Sequence, residues 1–320
     1  MEVKKQQAES NILIRLAYLL GTEVKNKRLE IPEKFGRGYC AGFVFNKNIR
    51  MLISNYELNE DWLVENPEIN ASKRILFFKF QNIFPKNEVV SAGKHSTEIP
   101  SVLIATSRIN TDDVISVHTS TATINIEVDA DYLNNLFDIS EKSSILQSLL
   151  QNTQPLLFEQ MVFPSLQKTV DEIVTESVGE TFELFFLRIK AEELICRLLI
   201  ELEKRDLKHI YALNSRDIQT IYKVKEQMLE HLDTPPIIKE LAQLANMSPS
   251  KLQRLFKQIF GNTIFNFYQD FRIKEAARLL REEKLSVSEV GYQLGFTNLS
   301  HFSRIFHEHI GIKPKQYTKS

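Results

Sequence analysis

The spacing of apolar residues changes twice along the chain. Up to about Ala130, apolar positions come in short runs rich in β-branched and aromatic residues, broken by polar or Gly/Pro clusters. Gly38–Phe45, Arg50–Glu57, Arg74–Phe84 and Val102–Thr106 fit this pattern, which predicts strands. Thr121–Val128 alternates strictly, with Ala122, Ile124, Ile126 and Val128 on one side and Thr121, Thr123, Asn125 and Glu127 on the other. That period of two buries one face of a sheet. Asn11–Leu20 reads as a leading helix. From about Asp131 to Asp206 the pattern turns helical, over Asp131–Phe137, Ser140–Gln151, Pro164–Glu176 and Thr181–Arg205. The last of these carries Phe182, Phe185, Phe186, Ile189, Leu194, Leu198, Leu199 and Leu202. This stripe is wider than one neighbour needs, and it serves the core, a second subunit, or both. Asn214–Ser320 is helical throughout. Asn214 or Ser215 caps a helix running to about His231, and Asp233-Thr-Pro235-Pro236 ends it.

The helical end repeats itself. At an offset of 49, Glu240 matches Glu289, Ala242 matches Gly291, Asn246 matches Gly295 and Met247 matches Phe296; at an offset of 50, Ser250 matches Ser300, Arg254 matches Arg304, Phe256 matches Phe306 and Gly261 matches Gly311. One residue inserted in the second turn accounts for the change. Duplication at this period signals two copies of one supersecondary unit, and each copy has the parts of a helix-turn-helix. A tiny residue (Ala242, Gly291) lets two helices cross closely. A residue tolerant of positive φ (Asn246, Gly295) ends the first helix. Met247 or Phe296 plugs the corner, and Ser248 before Pro249, or Asn298 or Thr297, starts the second helix. That second helix buries Leu252, Leu255, Phe256 and Ile259 in one copy and Phe302, Ile305, Phe306 and Ile310 in the other.

Off these stripes lie Ser250, Lys251, Gln253, Arg254 and Lys257 in the first copy, and Leu299, Ser300, Ser303, Arg304 and His307 in the second. Arg and Gln near a helix N-terminus match guanine and adenine edges in a major groove. Lys251 and Lys257 match phosphates. A helix over Ile264–Arg281 joins the copies. Its roughly 18 residues span about 27 Å, against about 34 Å between successive major-groove faces on one side of DNA. Charge points the same way. Asn214–Ser320 holds 16 Lys/Arg against 11 Asp/Glu, a balance of +5, and the remainder holds 24 against 30, a balance of −6, within a total of −1. The basic end is the one suited to a polyanion.

Composition narrows the alternatives. The chain has 320 residues, 43% hydrophobic and 25% charged, as expected of a folded chain and not of a disordered one. Cys40 and Cys196 are too few for a disulfide framework and suit a reducing compartment. No apolar run reaches the roughly 18 residues needed to cross a bilayer, and Ile12–Leu20 has no cleavage site after it, so neither a membrane span nor a signal peptide is expected. His95 and His118 form no HxH or HxxxE pair, and His301, His307 and His309 do not share a metal-binding face, so no metal and no cofactor is expected. P-loop, GxGxxG, GxSxG and kinase motifs are absent from the sequence. An enzyme that repairs bases would need a reactive Cys beside His or Glu, or a zinc-binding Cys cluster, so the chain is read as non-enzymatic. Trp62 reads as a sheet-edge anchor and Cys40 as a small core residue.

The segment resembles the DNA-binding domain of the AraC/XylS family of bacterial transcription regulators. The residues that carry the resemblance are Glu289-Val-Gly-Tyr-Gln-Leu-Gly-Phe296, His301-Phe-Ser-Arg-Ile-Phe306, Gly311-Ile-Lys-Pro314, Tyr317 and Leu252-Gln-Arg-Leu-Phe-Lys257. It implies a seven-helix domain with two helix-turn-helix units in adjacent major grooves, joined to a variable sensor or dimerisation domain. Carried over, the base-facing positions are Ser250, Gln253, Arg254, Ser300, Ser303 and Arg304. Gly291 stands where alanine is usual. Leu299 stands where a polar residue is frequent, and it meets a thymine methyl or staples the helix. Phe186-Leu-Arg-Ile-Lys190-Ala-Glu-Glu-Leu194 is faintly similar to a helix of the siderophore-sensing subgroup.

The expected chain is therefore α+β. A β-rich antiparallel sensor domain, cupin-like or sandwich, occupies 1–130. A helical dimerisation and linker region follows over 131–213, and an all-α double helix-turn-helix domain over 214–320. The expected function is a cytoplasmic, sequence-specific regulator and activator that binds double-stranded DNA as a homodimer. A small-molecule effector in the front domain gates it, with a partner protein in that role as the alternative. Contact with RNA polymerase is implied by the family.

Overall fold

The computed structural model describes residues 11–59, 74–84, 100–107, 120–137, 143–205, 207 and 209–318. Trp62, His95, His118 and the first residues of the helix read from Ser140 lie outside them. The chain divides into two units, Met1–Ser215 and Arg216–Ser320.

In the first unit, α1 (Asn11–Leu20) leads into β1 (Arg28–Glu30), β2 (Gly36–Val44), β3 (Ile49–Leu58), β4 (Ile75–Gln81), β5 (Ser101–Thr106), β6 (Ser120–Asp129) and β7 (Leu157–Met161). These strands form one antiparallel sheet in the order β1-β2-β3-β6-β4-β5-β7. Helices α2 (Ala130–Leu136), α3 (Ser144–Gln151), α4 (Pro164–Thr175) and α5 (Glu180–Glu203) complete the unit.

The alternation read in β6 is realised over Ile124–Val128, while Ala122 is half-buried and Thr123 is buried. Ile124, Ile126 and Val128 are fully buried and meet Leu76, Phe78 and Phe80 of β4, Met51 and Ile53 of β3, and the inner faces of α3, α4 and α5 in one core. Asn152 ends α3 in the left-handed conformation at φ 47°, and its side chain donates to the carbonyl of Ile75 in β4 at 2.9 Å. On the outside, Tyr132 of α2 donates to Glu192 of α5 at 2.9 Å.

Two strands differ from the sequence reading. β1 has only three residues, too few to show a period. β7 lies inside the stretch read as helical. Leu157, Phe158 and Glu159 are all buried, so both its faces are covered and no alternation marks it; a short apolar run of this kind is ambiguous between strand and buried helix. The backbone N–H of Leu156 donates to the Thr106 hydroxyl at 2.9 Å, and that hydroxyl donates to the Gln154 carbonyl at 3.0 Å, which seats β7 beside β5.

The sheet's other face is different in kind. At one end α1 covers it, with Leu13, Ala17 and Leu20 against Leu29, Cys40 and Leu58. Across the remaining strands it mixes polar side chains with Leu52, Phe77, Leu103 and Ala105. Register places Lys79 of β4 beside Asn125 of β6 and Leu103 of β5, with Gln81 beside Thr123 and Ser101. Lys79 has no ion-pair partner among the described residues, and burial alone pushes its ammonium down to about 8. A folded-state pKa below the unfolded one means the unfolded chain binds more protons in between. Stability therefore rises as pH increases from about 8 towards the ordinary lysine value, because the desolvated charge is being removed. Lys79→Met should flatten that rise, as read by urea unfolding at a series of pH values.

Candidate nucleic-acid interface

The second unit holds seven helices among the described residues: α6 (Ser215–Glu230), α7 (Ile238–Leu244), α8 (Pro249–Phe260), α9 (Ile264–Arg281), α10 (Val287–Gln293), α11 (Leu299–Ile310) and α12 (Pro314–Tyr317). The sequence repeat is a structural repeat. α7 and α10 both have seven residues, and α8 and α11 both have twelve. The turns between them close alike, with Met247 N–H donating to Ala242 O at 3.0 Å and Phe296 N–H to Gly291 O at 2.9 Å. Asn246 and Gly295 take positive φ of 49° and 71°. Ser248 caps α8 through the Lys251 amide, and Asn298 caps α11 through the Ser300 and His301 amides at 2.9 and 3.1 Å. Such caps satisfy amides that would otherwise lack partners. Gly261 and Gly311 end both helices in the left-handed region.

The apolar faces of α8 and α11 sit on α9. Leu252, Leu255, Phe256 and Ile259 of α8 are buried, and Phe256 and Phe260 pack on Phe267 with ring centroids 5.4 and 5.0 Å apart. Phe302 and Phe306 of α11 are buried against Ile273, Ala276, Leu279 and Leu280, with Ile305 and Ile310 only half-buried beside them. The opposite faces look outward. Ser250, Gln253 and Arg254 are exposed, as are Ser300, Arg304 and His307, while Lys257 and Ser303 are half-buried. The spacing is the same in both helices, so each presents a polar edge of about two turns with an arginine at its centre.

Two expected residues have neighbours that sequence could not show. Leu299 is half-buried, and its Cδ2 lies 2.5 Å from where a Cβ on Gly291 would stand. Glycine in α10 is what admits this leucine, so Leu299 staples α11 to α10. Lys251 is half-buried with its Nζ 2.9 Å from Asp217 Oδ1 in the first turn of α6. Asp217 stands 34 residues away and carries no local sequence signal.

A second set of residues holds the units in place, and the sequence reading missed it. Arg272 of α9 is buried. Its Nε donates to the carbonyl of Leu294 at 2.7 Å, and its guanidinium lies 3.7 Å from the centre of the Phe296 ring. Burial lowers its pKa, opposed by Tyr268 and Asp233. Tyr268 donates to the Leu232 carbonyl at 2.7 Å, and a Cβ on Gly295 would lie 1.9 Å from the carbonyl oxygen of Asp233. The turn of the second unit is thus clamped between α9 and the Leu232–Asp233 segment. At the start of α10, hydrogen bonds from the Ser286 side chain and backbone hold the Glu289 carboxyl below the usual carboxylate range, in a capping box.

Comparison with known proteins bears on this unit. A family model described as a helix-turn-helix domain matches residues 241–320. The chain is 33% identical over 109 residues to the HTH-type transcriptional regulator GbdR of Pseudomonas aeruginosa, covering 34% of this chain and 29% of that one. It is 34% identical over 80 residues to the arabinose operon regulatory protein of Escherichia coli, covering 25% and 27%. A solved structure of the DNA-binding domain of AdpA in complex with a target DNA is 28% identical, covers 31% of this chain and 90% of that one, and has a TM-score of 0.30. The match spans less than a third of either curated relative's length.

Removing the clamp should loosen the second unit. Arg272→Leu leaves the Leu294 carbonyl unpaired and removes the ring contact, at a cost of about 2–4 kcal/mol. Gly295→Ala adds backbone strain of about 1–2 kcal/mol to a collision with Asp233. Urea unfolding midpoints check both, and an unshifted midpoint would discount the clamp.

Proposed function

We propose that this chain, whose C-terminal segment is a helix-turn-helix domain of the AraC/XylS type, is a sequence-specific transcription regulator that reads two successive major-groove segments through α8 and α11. The observation that carries this reading is the pair of matched edges, Ser250, Gln253, Arg254 and Lys257 on α8, and Ser300, Ser303, Arg304 and His307 on α11, each on a twelve-residue helix with a side-chain N-cap and a glycine C-cap. Arg254 and Arg304 offer planar forks to guanine, Gln253 offers its amide to adenine, and the serines offer hydroxyls to either. Lys257 and His307, on the outer turns, meet phosphates. Through its roughly 27 Å length, α9 holds the two edges on one body.

The rest of the reading concerns the first unit. The polar face of the sheet around Lys79, Gln81, Thr123 and Asn125 is where a small-molecule effector binds and gates the regulator. An apolar seam on α5, with Phe182, Phe185, Ile189 and Ile200 all exposed, pairs two copies into a homodimer. The four positions fall on one side of a helix and extend about 27 Å along it. As an activator acting on chromosomal DNA, the protein works in the cytoplasm and recruits RNA polymerase.

Arg254→Ala and Arg304→Ala should each weaken binding to the preferred site by about 1–3 kcal/mol and relax base preference where the arginine stood. Site selection from a random library, followed by anisotropy titration of each variant, measures this, and two variants with wild-type preference would overturn the assignment of the reading edges. For the α5 seam, Phe185→Asp should convert dimer to monomer in light scattering while leaving the far-ultraviolet dichroism intact.

A further inference from the structure

Lys251, at the start of the first reading helix, is tied to the carboxylate of Asp217. The pair is lopsided. Asp217's side chain is 17% exposed and Lys251's is 39%, so the acid is anchored and any exchange of partners has to be made by the lysine. The acid is also held by its place in the first turn of α6, where the free amides of a helix start favour negative charge. Lys251 occupies the third position of α8, between Ser250 and Gln253, at the end of the helix that enters a groove first. The second unit is built otherwise. The residue matching Lys251 is His301, whose ring lies against Phe296 at 6.2 Å, and among the described residues no carboxylate is paired with Ser300, Ser303, Arg304 or His307.

We propose that Asp217 is a positioning residue that withholds Lys251 from the phosphate backbone, and so limits the affinity of the first reading helix for DNA of any sequence. The inference rests on the DNA-reading role proposed for α8 and deepens it. Phosphate contacts supply most non-specific binding and carry no base information. A lysine held on its own protein's carboxylate adds little to them, while the exposed Gln253 beside it keeps its reach to base edges. The device therefore favours base reading over indiscriminate binding.

The test uses the full chain, a short duplex of random sequence, and anisotropy titrations over a series of potassium chloride concentrations. Asp217→Asn should bind several-fold more tightly than wild type and steepen the dependence of log affinity on log salt by about 0.9, the slope of one added phosphate contact. Lys251→Gln should lose more slope in the Asp217→Asn background than in the wild-type one, again by about 0.9, and Asp217→Glu should restore wild-type behaviour. Removing a negative charge from the region raises affinity whether or not Lys251 is present, so equal losses in the two backgrounds would overturn the proposal. Asp217→Ser, which keeps an oxygen for the helix start, carries the same expectation if the asparagine variant folds poorly. A wild-type chain with no salt-dependent binding to any duplex removes the DNA-reading role itself; a wild-type chain that binds, with variants that do not respond, removes only the role of Asp217.

Discussion

Arg272 joins everything in the second unit. A guanidinium is costly to bury, and this one is kept by four neighbours at once: the Leu294 carbonyl, the face of Phe296, Asp233 and Tyr268. Leu294 and Phe296 flank the turn of the second helix-turn-helix, so the arginine fixes that turn to α9. The same helix receives Phe256 and Phe260 of α8 through Phe267. Without a central helix packed against both copies, two helix-turn-helix units would be two mobile pieces, and the spacing of their reading edges would be undefined.

The duplication is close but not exact, and the differences are physical. Unit one uses Ala242 and Asn246 where unit two uses Gly291 and Gly295. In unit two both glycines have a structural reason. Gly291 makes room for Leu299, and Gly295 combines positive φ with a backbone carbonyl too near for any Cβ. The two copies share a pattern of caps, yet their immediate surroundings differ, because α6 lies beside one and the Leu232–Asp233 segment beside the other. The Lys251–Asp217 pair is one product of that difference.

The sheet of the first unit shows the opposite economy. One face is largely apolar and takes four helices. The other is partly covered by α1 and otherwise mixes polar with apolar side chains, and it bears the desolvated Lys79. A face that existed only for stability would be better filled with apolar side chains. These polar residues are what the proposed effector site rests on.

Local periodicity and punctuation determined much of this protein. The β6 alternation, the bounds of α9, the Ser248-Pro249 start of α8, the two terminal glycines and the matched arginines are all legible in the chain, because each depends on neighbours within a turn or a strand. What the tertiary structure alone decided depends on residues far apart in sequence. β7 is buried on both faces and so shows no period. The exposure of Phe182, Phe185 and Ile189 on α5 reflects where the core ends, which no stripe of residues states. Leu299 against Gly291, Arg272 against Leu294 and Asp217 against Lys251 are contacts across 8, 22 and 34 residues. Pairings at such separations are set by how helices cross, and a chain read one residue at a time holds no record of that crossing.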